Sequence, residues 1–228
     1  MIPFSRQKIL SSDIKSVTDV LKSDFLTKGP KVPIFEKMIS KITGAKYVMA
    51  CNSASSALHL ACMALDIKDD DIVWTSTNTY AASSNCVLNC GAKIDFVDID
   101  TNTWCISLDS LKKKLILAKK QKKLPKVLIS VHFAGQPCDQ KKIKNLADKY
   151  NFKIIEDASH SIGASHFREK VGSCKWSDLT VFSFHPVKII TTGEGGAVIT
   201  NKKFYAEKIK MLRENGITNN KYYFKNKP

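Results

Sequence analysis

Arginine is nearly missing from a chain that is otherwise rich in positive charge. Of the 36 basic residues among 228, only Arg6, Arg168 and Arg213 are arginine, and the formal net charge is +15 at pH 7. Proteins that read bases lean on the planar guanidinium fork for bidentate contacts. Its scarcity argues against a specific nucleic-acid partner and leaves a salt-sensitive, non-specific attraction to polyanions. The densest run, Lys112 to Lys123 (KKKLILAKKQKK), reads as a helix with Leu111, Leu115, Ile116 and Leu124 on an inward stripe. Its lysines then form the solvated face.

Long apolar runs are absent as well. No stretch approaches the roughly 18 residues that a membrane span needs. The opening MIPFSRQKILSSD lacks the apolar core of a secretory signal, so a cytoplasmic protein without a membrane partner is expected. The seven cysteines (Cys51, Cys62, Cys86, Cys90, Cys105, Cys138 and Cys174) include no C-x-x-C pair and no Cys/His spacing that suits zinc. They read as reduced small hydrophobes, and no metal site is expected. Repeats, low-complexity tracts and Pro/Gly/Ser linkers are missing too, so residues 1–228 read as one large domain.

What is present is an alternation of short β-branched apolar runs with helical patterns. Strands are predicted at Tyr47–Ala50, Ile72–Thr75, Lys93–Val97, Val127–Val131, Lys153–Glu156, Leu179–Ser183 and Ala197–Thr200. Helices are predicted at Asp13–Lys22, Val32–Thr43, Ser53–Leu65, Ala81–Gly91, Ser107–Lys120, Asp139–Tyr150 and Lys202–Arg213. Strands such as KVLISV are continuously apolar, which suits a mostly parallel sheet covered on both faces. The fold class is therefore α/β, doubly wound. In such sheets ligands bind beyond the carboxyl ends of the strands, so those ends hold the candidates.

Four segments qualify. In Phe182-Ser183-Phe184-His185-Pro186-Val187-Lys188, followed by IITTGEGG, a strand ends at a serine and a lone lysine precedes a glycine-rich turn. A lysine held among apolar neighbours can act as a nucleophilic amine, although a surface lysine in a turn would look the same. In Ile155-Glu156-Asp157-Ala158-Ser159-His160 a strand delivers Asp157 and His160 at its end. Such an aspartate suits a cationic ring nitrogen or caps the following helix, and the two readings stand level. Asn52-Ser53-Ala54-Ser55-Ser56 opens a helix after a strand, which makes either a phosphate cradle or an ordinary serine cap. In Thr77-Asn78-Thr79-Tyr80, Tyr80 is placed either to lie over a flat ligand or to fill the core.

Taken in order, the wording NSASSALHLA, EDASHSIG, VFSFHPVKIITTGEGGAVIT and KMLRENGI, with SDFLTKGPKVPIFEK near the start, resembles the DegT-type sugar aminotransferases. These are fold-type I pyridoxal-phosphate enzymes that act on nucleotide-linked keto-sugars, and the resemblance is strongest to the pseudaminic acid branch of the family. It implies pyridoxal 5′-phosphate as cofactor, with Lys188 joined to it and shuttling protons and Asp157 on the pyridine nitrogen. His160 would lie beside the cofactor, Ser183, Ser55 and Ser56 would hold the phosphate, and Tyr80 would stack on the ring. Phe4, Asp24, Phe25, Leu26, Thr27 and Ala54 fall where family members meet the sugar nucleotide. The family often has tyrosine at the position of Phe4. The resemblance further implies a UDP-linked 4-keto-6-deoxy sugar and L-glutamate as substrates, and a homodimer. Related dehydratases carry histidine where this chain has Lys188. The resemblance covers a large domain that, in the family, a small C-terminal domain follows. That small domain has no counterpart in these residues, so a cut-short and inactive chain that only binds partners or polyanions is the rival expectation.

Overall fold

The computed structural model describes residues 5–217. In chain order its elements begin with α1 (Ser11–Leu21), α2 (Lys31–Thr43), β1 (Tyr47–Cys51), α3 (Ala54–Ala64), β2 (Ile72–Ser76), α4 (Ala82–Leu88) and β3 (Lys93–Val97). They continue with α5 (Leu108–Lys120), β4 (Val127–Val131), α6 (Gln140–Tyr150), β5 (Lys153–Asp157), β6 (Ser165–His166), β7 (Glu169–Lys170), β8 (Leu179–Ser183), β9 (Gly196–Thr200) and α7 (Lys203–Arg213). Seven strands make one sheet in the order β1-β9-β8-β5-β4-β2-β3. From β8 to β3 the neighbours are parallel, and β9 runs antiparallel to both β1 and β8. The predicted doubly wound α/β architecture is the one observed.

Side-chain alternation along each strand divides the core. Val73, Ile129, Ile155, Val181 and Val198 face one side, where Leu58 of α3, Val87 of α4 and Ile209 of α7 cover them. Trp74, Leu128 and Ile154 face the other and pack on Leu111 and Leu115 of α5 and Ile143 of α6. Phe182 and Ile199 extend that second side to Ile39 of α2. Every residue of β4, β8 and β9 is buried, so apolar residues fall on both faces of these strands instead of alternating with exposed polar ones.

The α5 stripe needs one correction. Leu111, Leu115 and Ala118 are buried and Leu124 packs at the edge of the same cluster, whereas Ile116 is 51% exposed. At about 100° per residue, Ile116 points roughly a third of a turn away from the stripe through Leu111 and Leu115. Lys112, Lys113, Lys119 and Lys120 of this helix are exposed as expected, whereas Lys114 is half-buried, pairing with Asp95 and lying over the Trp74 ring.

Two local elements had no sequence signal: the two-stranded pair β6–β7 and a single 3-10 turn at Phe133–Gly135 after β4. Each is too short to show a period. Helix α1 buries none of its residues, and Ile14, Val17 and Leu21 lie exposed along it. All seven cysteines are free thiols, and five are buried. Burial pushes the Cys174 thiol up to about 12, so it stays protonated and inert. Among the described residues no helix is long and apolar enough to cross a membrane.

Candidate active site

The carboxyl ends of β1, β2, β4, β5 and β8 surround a cleft of about 490 Å³. Its walls include Ser53, Ala54 and Ser55 after β1, Asn78–Tyr80 after β2, His132–Ala134 after β4, and Asp157, Ser159 and His160 at the end of β5. Ser183, Lys188, Glu194 and Gly195 close the remaining side. The chain reverses its winding direction here, since β2 leads outward to β3 while β4 returns to the other side of β2. That reversal parts the connecting loops and opens the cleft.

Lys188 stands on a loop fixed by its own backbone. Its N–H donates to the carbonyl of His185 (2.9 Å), Thr192 N–H donates to Phe184 O (3.0 Å), and Phe184 N–H donates to Gly195 O (2.9 Å). Gly193, at φ +81°, makes the turn that a side chain would strain. The Lys188 Nζ meets His160 Nε2. Burial holds the amine of Lys188 below its usual range, and Asp157 pulls it partly back. Burial also lowers His160, with the positive charge of Lys188 adding to the effect and Asp157 opposing it. A neutral His160 can then accept a hydrogen bond from the ammonium form of Lys188.

Asp157 is the last residue of β5 and shares its face with Ile155, toward α3 and α4. Its carboxylate is buried and held at both oxygens. Ser83 Oγ donates to Oδ2 (2.7 Å), while Ser159 donates to Oδ1 from both its hydroxyl (2.6 Å) and its N–H (3.2 Å). The opposite parity sends Glu156 to the other face, where it meets His132 Nε2 at 3.2 Å.

Helix α3 aims its N-terminus into the cleft. Ser53 caps it by accepting from Ser56 N–H (3.1 Å), and Ala57 N–H takes the Ser53 carbonyl (3.0 Å). The N–H groups of Ala54 and Ser55, in the first turn, have no acceptor within the helix and stay available to an anion. Ser55 and Ser183 both line the cleft. Ser56 does not: its N–H and hydroxyl are both engaged by Ser53. Tyr80 is 81% exposed at the mouth, which settles it as a lip residue rather than a core aromatic.

Of the residues expected to meet a substrate, Ala54 lines the cleft. Asp24, Phe25, Leu26 and Thr27 lie exposed in the connection between α1 and α2 and are not among its walls. Phe4 lies outside the described residues. Ser83, Ser159 and His132 also belong to the site, and no sequence signal marks them; Ser83 lies four residues after Thr79, buried in the first turn of α4.

The arrangement suits pyridoxal phosphate. A buried, doubly held carboxylate, a lysine with a weakened hold on its proton, and a helix N-terminus with two free N–H groups match its ring nitrogen, aldehyde and phosphate. Among the described residues no group of three or more His, Cys, Asp and Glu side chains is arranged for a metal ion.

Residues 7–227 match the model of the DegT/DnrJ/EryC1/StrS aminotransferase family. The chain is 45% identical over 217 residues to a UDP-4-amino-4,6-dideoxy-N-acetyl-beta-L-altrosamine transaminase of Campylobacter jejuni, covering 95% of this chain and 56% of that protein. Among solved structures, PseC of Helicobacter pylori, an aminotransferase of pseudaminic acid biosynthesis, superposes with a TM-score of 0.87 at 30% identity. The alignment covers 97% of this chain and 58% of PseC. The pyridoxal-phosphate form of a Streptococcus pneumoniae putative sugar aminotransferase gives 0.80 at 28% identity, over 92% of this chain and 57% of the other. The chain thus spans little more than half the length of the curated relatives it matches. With the predicted lysine, aspartate and helix N-terminus found on one cleft of the expected fold, the conclusion is that this chain belongs to the DegT/DnrJ/EryC1/StrS aminotransferase family.

Proposed function

We propose that this chain forms the cofactor-binding part of a pyridoxal-phosphate-dependent sugar aminotransferase of the pseudaminic acid type. The amino donor is L-glutamate and the acceptor a UDP-linked 4-keto-6-deoxy sugar. The observation that carries this is the convergence of Lys188, Asp157 and the α3 N-terminus on one cleft. The similarity to named transaminases supports the choice of sugar.

Pyridoxal phosphate, when bound, supplies the electron sink that allows an amino acid to lose its α-hydrogen as a proton. The chain does the rest. Ala54 N–H, Ser55 and Ser183 hold the phosphate at the α3 end. Asp157 presents its carboxylate to the ring nitrogen, and Tyr80 covers the ring from the mouth. Lys188, free to be neutral because burial disfavours its charged form, takes the proton from the α-carbon of glutamate. In the second half-reaction the same amine returns a proton to sugar carbon 4. His160 accepts a hydrogen bond from Lys188 whenever the lysine carries that proton and so fixes its direction.

A homodimer belongs to this reading. Phe25, Leu26 and Ile189 expose apolar surface (57%, 70% and 67%) that a second copy would cover. A second reading, cofactor binding without turnover, is favoured because Asp24–Thr27 are not among the walls of the cleft. The test is L-glutamate-dependent release of 2-oxoglutarate by the chain loaded with pyridoxal phosphate. Release that stops in Lys188→Ala supports the transaminase. Cofactor binding without release supports the second reading.

A further inference from the structure

Ser83 lies wholly buried in the first turn of α4 and is not a wall of the cleft, yet its hydroxyl ends on the carboxylate that is. Its oxygen also lies 2.7 Å from Thr79 Oγ1. A serine hydroxyl has one hydrogen, and an ionised carboxylate can only accept. Ser83 must therefore spend its hydrogen on Asp157 Oδ2, and Thr79 donates to Ser83 at 2.7 Å in preference to the more distant carbonyl of Tyr80 at 3.4 Å. The result is a one-way chain of donors, Thr79 to Ser83 to Asp157. Thr79 and Ser83 are four residues apart across the start of α4, and Ser83 N–H closes the turn from Tyr80 to Ser83 on the carbonyl of Tyr80 (3.0 Å). The turn that holds the carboxylate is thus the turn that carries the aromatic lip.

We infer that Ser83, backed by Thr79, is a positioning residue that aims the Asp157 carboxylate at the cofactor's ring nitrogen and ties its orientation to the seat of Tyr80. This rests on the pyridoxal-phosphate reading of the cleft. Ser159 fixes Oδ1 from its own strand end, but that contact alone leaves the carboxylate free to pivot about its bond to Cβ. The donor on Oδ2 comes from a different element and removes the pivot. A carboxylate that is pinned pays less ordering entropy when the ring arrives.

The distinguishing experiment compares two ligands on the intact chain. One is pyridoxal phosphate, and the other is its carbocyclic analogue with C–H in place of the ring nitrogen. Each is bound to the natural chain and to Ser83→Ala, Thr79→Val and Lys188→Ala. Ser83→Ala is expected to weaken pyridoxal phosphate about tenfold, the size of one charge-assisted hydrogen bond, and to leave the analogue unchanged. In an Asp157→Asn background Ser83→Ala adds no further loss, because the two act as one unit. Equal weakening of both ligands would make Ser83 a merely structural residue and overturn the inference, as would no weakening of either. If Ser83→Ala fails to fold, Thr79→Val decides by the same selectivity, with an expected loss of about threefold. If the natural chain shows no Lys188-dependent binding of pyridoxal phosphate, the reading of the cleft falls and this inference falls with it. Binding that survives while selectivity is absent overturns the inference alone.

Discussion

Gly196 at the start of β9 lies against the backbone of Ser53, the cap of α3. A Cβ built on this glycine would stand 2.3 Å from the Ser53 carbonyl oxygen and 2.6 Å from the Ala54 nitrogen. Only glycine lets β9 approach the turn that presents Ala54 N–H and Ser55 N–H to the cleft. The glycine-rich stretch after Lys188 thereby shapes both the lysine loop and the anion end.

Gly196→Ala is expected to push Ser53 and Ala54 away, costing about 1–3 kcal/mol of stability by overpacking. Affinity for pyridoxal phosphate falls, while affinity for pyridoxal, which lacks the phosphate, changes little. Equal losses for both compounds would disconnect Gly196 from the phosphate end.

The Lys188 amine should titrate below 10.5. Reductive methylation of the cofactor-free chain over a pH series, read residue by residue by mass spectrometry, checks this directly. Asp157 holds the lysine up against the effect of burial, so Asp157→Asn is expected to lower the midpoint further. A midpoint at or above 10.5, or a rise in the variant, would contradict the assignment.

His160 links the cleft to acid stability. Its folded pKa lies below 6.5, because burial and Lys188 oppose its charge. Just under 6.5 the unfolded chain therefore binds more protons than the folded one, and stability falls as pH falls through that window. Melting temperatures between about pH 7 and pH 5 should drop less steeply in His160→Gln than in the natural chain. Identical slopes would remove His160 from the cause.

The revised α5 stripe separates two neighbours. Leu111→Ala empties a fully buried site and should cost about 3 kcal/mol. Ile116→Ala, at a half-exposed site, should stay within about 0.5 kcal/mol. Urea titration of both variants measures the difference, and similar losses would return Ile116 to the core.

Much of this was legible because it is periodic. The apolar residues on both faces of β4 and β8 follow from burial on both sides, and Pro186 with the following glycines marks where β8 gives way to the lysine loop. Asp157, at the end of β5, and Lys188, in the loop after β8, stood out only through the order of motifs that resembles the family, since each alone also suited a helix cap or a surface turn. Ser83 did not, since a serine in a helix start reads as a cap until its distance to Asp157 is known. Ser56 lies off the cleft: its N–H donates to Ser53 Oγ, and its hydroxyl oxygen accepts from that same group. Ile116 failed because an apolar run one residue wider than the stripe looks continuous in sequence. Asp24–Thr27 follow family wording in a loop whose position no local pattern fixes.

The central claim is that one lysine among many is the cofactor's partner. Borohydride reduction of the chain loaded with pyridoxal phosphate, followed by peptide mapping, tests it most directly. The account predicts a stable pyridoxyl label on Lys188, absent in Lys188→Ala. Label spread over exposed lysines such as Lys112 and Lys203, with Lys188 unmarked, would contradict it.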